Sequence, residues 1–312
     1  MNSYLKIVRP LNLLIIAVSM FMVRHYLIAP FLKAAHSPLQ MGNIAFILLV
    51  ISIVLLAAGG YIINDYYDAE IDKINRPDDV IVGRSIPMRT ASNMHLALSA
   101  VAVLIGFYCG WSVGSFKLGF VQFIIAMVLY YYALKYKRML ITGNLVVALI
   151  TSSAIVLVWL FEFFAIKNNG IVFGNMIGNF GNINIFVFGM TLFAFLICFI
   201  REVVKDMEDI AGDEACGCHS IPVVYGISKS KKILVVMVGV LMLFTVFVQV
   251  LLFRWHYNIA SSYFFLIHAL NIYLLLKLRN AQSQTDFHFM STVMKIIMLA
   301  GLLSMQMLYI NF

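Results

Sequence analysis

Charge is scarce in this chain. Asp, Glu, Lys and Arg make up only 12% of 312 residues, and the acids number just 14. Soluble domains carry about 25% charged and roughly 45–50% apolar residues. Here the hydrophobic share is 62%, which excludes a water-soluble globular domain. Proline is rare too, at six residues, so long helices can run uninterrupted. The four cysteines, Cys109, Cys198, Cys216 and Cys218, are scattered, and the first two fall inside apolar runs. No disulfide framework is encoded. Cys216-Gly217-Cys218-His219 is one residue short for haem attachment and has no partner pair for zinc. The seven histidines show no His-x-x-x-His pairing, and there is no tandem repeat or low-complexity tract. The N-terminal segment resembles neither a cleaved signal peptide nor an amphipathic transit segment.

Long apolar runs are what the chain has instead. Nine are of membrane length: about 11–31, 43–63, 94–114, 118–134, 141–164, 185–200, 232–253, 259–276 and 290–311. The fold class expected is all-α, a polytopic membrane protein forming one integral-membrane domain over 1–312. Arg24 and His25 interrupt the first run and blur its outer end. The formal net charge of +8 belongs to a membrane surface and not to nucleic acid. With nine spans, 16 Lys and Arg fall on the side of the N-terminus against 5 on the other, with Lys295 inside the last span. The positive-inside rule therefore puts the N-terminus and the loops after even-numbered spans in the cytoplasm, the expected location being the cell inner membrane.

The acids are not spread over those loops. Six lie in one short stretch (Asp65, Asp68, Glu70, Asp72, Asp78, Asp79) and six in another (Glu202, Asp206, Glu208, Asp209, Asp213, Glu214). Each stretch directly follows an apolar span, and both are on the cytoplasmic side. If the helix continues, Asn64, Asp68 and Asp72 stack on one face within about 12 Å. Asp206, Asp209 and Asp213, at i, i+3 and i+7, do the same. Like charges at this spacing repel, so the pattern costs stability unless a divalent cation cancels it. Mg²⁺ suits such a site, being commonly held by one or two carboxylates plus substrate phosphates. A solvated acid-rich loop is the bland reading of either stretch alone. Carboxylates at a membrane span are functional by default, and two matched clusters favour a site.

These residues carry a resemblance. Asn64-Asp65-x-x-Asp68-x-x-x-Asp72 with Asn75-Arg76-Pro77 resembles the first aspartate-rich motif of the UbiA family of intramembrane prenyltransferases. Asp206-x-x-Asp209-x-x-x-Asp213 with Ser220-Ile221-Pro222 and Gly226 resembles its second. Arg9-Pro10-x-Asn12, Tyr130 with Lys135, and Gly143-Asn144 agree in order. The resemblance implies nine helices around a central cavity with a cytoplasmic cap. It also implies Mg²⁺ held by Asn64, Asp68, Asp72, Asp206, Asp209 and Asp213, of which Asp68, Asp72, Asp209 and Asp213 serve catalysis. The substrates implied are a prenyl diphosphate and a membrane-soluble acceptor drawn from the bilayer. Asn12, Lys73, Arg84, Tyr130 and Lys135 are the expected substrate contacts, with residues 73–89 forming a basic lid. The sequence departs from the family at Asp79-Val80-Ile81-Val82, where a basic residue is usual. Arg201-Glu202-x-x-Lys205-Asp206-x-Glu208-Asp209-x-x-Gly212-Asp213 is most similar to members that add geranylgeranyl to geranylgeranylglyceryl phosphate. An aromatic acid or quinone precursor, of the 4-hydroxybenzoate or naphthoate type, is the alternative acceptor. A non-enzymatic cation transporter is disfavoured because transporter carboxylates lie near the midplane. No residue identifies itself as the acceptor's base, for which a carboxylate of the second cluster is the candidate. Asn- and Gly-rich residues 167–184 read as a long outer loop.

Overall fold

The computed structural model describes residues 3–310. Its elements in chain order are α1 (Ser3–Ile7), α2 (Pro10–Ala34), α3 (Asn43–Tyr67), α4 (Ala69–Asn75), α5 (Met88–Ser112), α6 (Gly119–Leu134) and α7 (Thr142–Lys167). There follow α8 (Gly170–Met176), α9 (Phe180–Glu208), α10 (Ile210–Ala215), α11 (Ile221–Arg254), α12 (Asn258–Asn280) and α13 (Gln284–Tyr309). Among the described residues nine helices are long and apolar enough to cross a membrane, one for each apolar run, and several extend beyond the run by a turn or more. The last residue of the expected ninth span, 311, lies outside the described residues. In a bilayer core every backbone N–H and C=O must be satisfied within the segment, and uninterrupted helices do this.

The helices close into a ring. Helix α2 packs on α3, α3 on α5, α5 on α6, α6 on α7, α7 on α9, α9 on α11, α11 on α12, α12 on α13, and α13 returns to α2. Glycines allow the tight approaches: Gly59 of α3 faces Ser99 and His95 of α5, and Gly60 faces Leu129 of α6. Helix α3 does not bend there, so the pair serves packing. One apolar core joins α2, α3, α5, α6 and α7, and a second joins α9, α11, α12 and α13.

Two local expectations are corrected, and the blurred end of the first span is resolved at Ala34, beyond Arg24. The helix runs through it with a π-helical turn at Val23–Ile28. The buried guanidinium sits 4.3 Å over the Phe46 ring and donates to the Met41 carbonyl. Glu162 accepts the Gln40 and Met41 amides, so both charges are spent tying the loop between α2 and α3 to the bundle. Residues 167–184 are not a loop: Asn169 caps α8 by accepting the Val172 amide, and α9 begins at Phe180. Helix α4 runs to Asn75, so the non-helical part of the expected lid starts at Arg76, not residue 73. From there a 3₁₀ turn (Pro77–Asp79) leads to a Val82–Ile86 bridge, pinned by a small core of Ile7, Ile62, Val82, Ile86 and Ala91. Asp79, where the family has a base, pairs with Lys6 of α1 at 2.5 Å.

Candidate active site

Both acid motifs break their helix at the middle acid. Helix α3 stops at Tyr67, and Asp68 takes φ −91° and ψ 0° before α4 resumes. Helix α9 stops at Glu208, and Asp209 takes φ −100° and ψ 9° before α10. Neither break orphans a backbone group. Asp68 N bonds Asn64 O and Asp72 N bonds Asp68 O; Asp209 N bonds Lys205 O and Asp213 N bonds Asp209 O. The single continuous helical face expected for each motif is therefore replaced by a bend of the same kind in each. The bends fold α4 and α10 over the bundle and onto each other.

Asn75-Arg76 and Gly212 lock that contact. The Asn75 amide donates to Asp209 O at 2.9 Å and its carbonyl oxygen accepts the Gly212 amide at 2.8 Å. A Cβ on residue 212 would stand 2.5 Å from Asn75 Nδ2 and 2.8 Å from the Ile71 carbonyl, so only glycine fits. Arg76 donates to Glu208 at 2.9 Å and to Asp209 at 2.8 Å. His288 of α13 holds the same Glu208 oxygen at 2.9 Å.

The acids on the two bends act on each other. Asp68 is buried, held by the Asn64 amide at 2.5 Å and by the Lys137 ammonium. Burial, together with Asp68 and Asp65, pushes the Asp72 carboxyl up to about 6. Burial raises Asp209, against the pull of Arg76. It raises Asp213 as well, with Asp209 and Asp68 adding to the shift. Burial works against the charge on Lys137, yet Asp68, Tyr132 and Asp209 outweigh it and hold the ammonium above the usual lysine range. One lysine thus feels both motifs. Asp206 is bound by Asn144 at 2.7 Å, which gives Gly143-Asn144 at the start of α7 a structural purpose.

Beside the acids, inside the ring, lies a cavity of about 160 Å³. Asn64 and Lys137, both bonded to Asp68, stand in its wall. Ile15, Ile53, Leu56, Ile125 and Leu129 supply apolar surface. A smaller pocket of about 50 Å³ shares Ile15, Ile16, Thr151, Cys198 and Met298 with it and ends at Phe193. The Phe193 ring lies 2.1 Å from where a Cβ on Gly301 would stand, so the absent side chain makes its berth. Beyond it is a second apolar cavity of about 160 Å³.

The expected substrate contacts separate on this geometry. Asn12 lines the cavity. Lys73 bonds Glu70 on the exposed face of α4 at 2.6 Å, and Arg84 bonds the Pro77 carbonyl at 3.2 Å. Lys135 is exposed, because α6 ends at Leu134 and a 3₁₀ turn (Tyr136–Arg138) swings Lys137 inward instead. Tyr130 bonds Tyr67 and stacks on His95, while Tyr132 faces the cavity. Lys137, Tyr132, Arg201, Lys205 and Lys295 also line the cavity, though none was among the expected site residues. The one-sided excess of Lys and Arg signalled Lys137, Arg201 and Lys205 only as a group, and Lys295 stood out as a lysine inside a span. Arg9 has a left-handed backbone, φ 53°, that a non-glycine residue rarely adopts. It is held by an ion pair to Asp65 at 2.6 Å and by the Tyr61 ring at 4.9 Å.

Comparison with known proteins places this geometry. The digeranylgeranylglyceryl phosphate synthase of Methanosphaera stadtmanae is 30% identical over 311 residues, 98% of this chain and 99% of that one. That of Sulfolobus acidocaldarius is 33% identical over 244 residues, 77% of this chain and 75% of that one. A solved digeranylgeranylglyceryl phosphate synthase superposes with a TM-score of 0.63 at 24% identity, covering 99% of this chain and 98% of that one. A UbiA homologue from Archaeoglobus fulgidus, bound to GPP and Mg²⁺, superposes at 0.60 with 15% identity, covering 97% and 99%. The profile of the UbiA prenyltransferase family matches residues 13–294, so this integral membrane protein belongs to the UbiA prenyltransferase family.

Proposed function

We propose that the protein transfers a geranylgeranyl group from its diphosphate to the free hydroxyl of geranylgeranylglyceryl phosphate, in a site that opens to the cytoplasm. One observation carries this reading: the bends at Asp68 and Asp209 bring two carboxylate motifs under the influence of one lysine, beside an apolar cavity within the membrane ring. The relatives named as digeranylgeranylglyceryl phosphate synthases, 30% and 33% identical, support the acceptor. The excess of Lys and Arg on the same side supports the cytoplasmic orientation.

The donor set fits Mg²⁺. Asn64, Asp68, Asp72, Asp206, Asp209 and Asp213 offer only hard oxygen ligands, with no histidine or thiol among them. Among the described residues no three His, Cys, Asp or Glu side chains are gathered closely enough to hold a metal alone. An ion held there would draw further ligands from substrate phosphate and water, as Mg²⁺ commonly does. Bound there, Mg²⁺ supplies positive charge against the pyrophosphate as it departs. The chain's own residues do the rest. Lys137 gives fixed positive charge at the same place. The apolar wall orients the prenyl chain and keeps water from the allylic cation left when the C1–O bond breaks. The acceptor hydroxyl forms the new C–O bond and loses its proton. Burial leaves Asp209 and Asp213 more basic than ordinary carboxylates, and so able to take it.

The test is competition. Purified protein receives geranylgeranyl diphosphate, Mg²⁺, and equal amounts of geranylgeranylglyceryl phosphate and 4-hydroxybenzoate, with products identified by mass spectrometry. The reading predicts a second ether on the glycerol phosphate. Prenylation of the aromatic alone overturns it.

A further inference from the structure

Lys295 stands inside α13, a membrane span, and lines the cavity. A lysine there is costly and calls for a partner or a function. It makes no hydrogen bond or ion pair among the described residues. It shares the cavity wall with Arg201, Lys205 and Arg9, all of its own sign, and these act on it more strongly than any acid. Glu208, the opposing acid, is already tied to Arg76 and His288. Arg201 is under-satisfied as well: its Nε is buried without a partner, and its other contact is Glu202 at 3.1 Å. Lys205 shares Glu202 at 3.2 Å.

The charges do not balance. Five cations line the cavity: Arg9, Lys137, Arg201, Lys205 and Lys295. Asp65 answers Arg9 and Asp68 answers Lys137. Among the described residues Arg201 and Lys205 share one ion-pair partner, Glu202, and Lys295 has none, which leaves the cavity wall with two more cations than paired acids. A phosphate monoester carries about −1.5 to −2 at neutral pH and several strong acceptor oxygens.

We propose that Arg201, Lys205 and Lys295 form the subsite for the acceptor's phosphate, distinct from the place of the donor diphosphate at the acid motifs. The inference rests on the proposed transfer reaction and names three of its positioning groups. Spacing supports it. Arg201 and Lys205 lie at i and i+4 on α9, one face, and Asp209 follows a further turn, about 5.4 Å, along the chain. In a glycerol phosphate the attacking oxygen is four bonds of about 1.5 Å from phosphorus, so roughly 5 Å away. A phosphate in this subsite therefore sets its hydroxyl about one turn off, toward the acids that hold the leaving group. Lys295, from another helix, brings a third charge to the same cavity.

The experiment separates binding from turnover. Wild type, K295M and K295R in nanodiscs are titrated with radiolabelled geranylgeranylglyceryl phosphate in EDTA with no donor, then assayed with Mg²⁺ and geranylgeranyl diphosphate. Thermal unfolding checks that each variant is folded. Loss of one charge-assisted hydrogen bond predicts about 10- to 100-fold weaker binding of the phosphate ether to K295M, a matching rise in its KM and partial rescue in K295R. The KM for the donor should stay close to wild type. Wild-type binding of geranylgeranylglycerol, which lacks the phosphate, should already be weak and insensitive to K295M. If folded K295M binds the phosphate ether like wild type, or only the donor KM moves, the subsite is wrong. If wild type binds the ether through Lys295 yet transfers nothing, the subsite stands and the transfer reading falls. If wild type does not bind it, both fall.

Discussion

Asn75 should be as important to catalysis as the aspartates, although it faces no substrate. Its side chain joins α4 to α10 through two hydrogen bonds, to Asp209 O and from the Gly212 amide. Each is worth about 1 kcal/mol net, and a buried partner left unpaired costs about 1–3 kcal/mol. N75A should thus loosen the junction by about 2–4 kcal/mol. A global stability of about 5–15 kcal/mol leaves the bundle folded, but α10 carries Asp213, and displacement of about 1 Å at a reacting centre can cost about 10²-fold. G212A attacks the same junction from the other side, because its Cβ would meet both Asn75 and the Ile71 backbone. Both variants should lose about 10²-fold in kcat/KM and need more Mg²⁺ for half-maximal rate, with helical content unchanged by circular dichroism. Turnover of N75A near wild type across the whole Mg²⁺ titration would refute the argument that this contact positions the second motif.

Other outcomes follow from the same geometry. K137A should lower turnover about 10²-fold, the scale of one lost electrostatic stabiliser, whereas K135A, which alters an exposed side chain outside the cavity, should change it far less. Acid should oppose the metal. Asp72 holds its proton up to about 6 and Asp209 and Asp213 are also raised, so the Mg²⁺ concentration for half-maximal rate should climb as pH falls through that value. In EDTA the sign reverses for stability. The folded state binds more protons than the unfolded one between the ordinary 3.8 and about 6 for Asp72, so this contribution is lost as pH rises through that window. Thermal unfolding in chelator at pH 5.5 and 7 measures it, and added Mg²⁺ should recover the loss at pH 7. F193A should join the prenyl pocket to the apolar cavity beyond and raise kcat/KM for a C25 diphosphate relative to C20, read from paired assays.

The spans were legible because an apolar run of membrane length has one common outcome, a helix with its backbone bonds internal. The two motifs were legible because acids at a membrane span have few reasons to be there. The bends were not. Neither Asp68 nor Asp209 is followed by glycine or proline, so periodicity alone reads straight through both. Lys135 and Lys137 have the same composition signal, and the 3₁₀ turn after Leu134 decides which points inward. Tyr130 and Tyr132 sit two residues apart on a helix and so face different ways, which a run of three tyrosines conceals. Asn75 and Gly212 were visible as motif members, but their purpose is a contact across 137 positions, which local sequence does not show.

The central claim is that the two bent helix ends make one site. Turnover of D68N, D209N and the double variant with geranylgeranyl diphosphate tests it most directly. Each single change should cost at least about 10²-fold. If both acids hold the same leaving group, the double variant should fall little below the worse single one, as residues acting as a unit are non-additive. Losses that simply multiply, in folded protein, would mean that the two acids act independently and not as a unit on one leaving group, and would contradict the account.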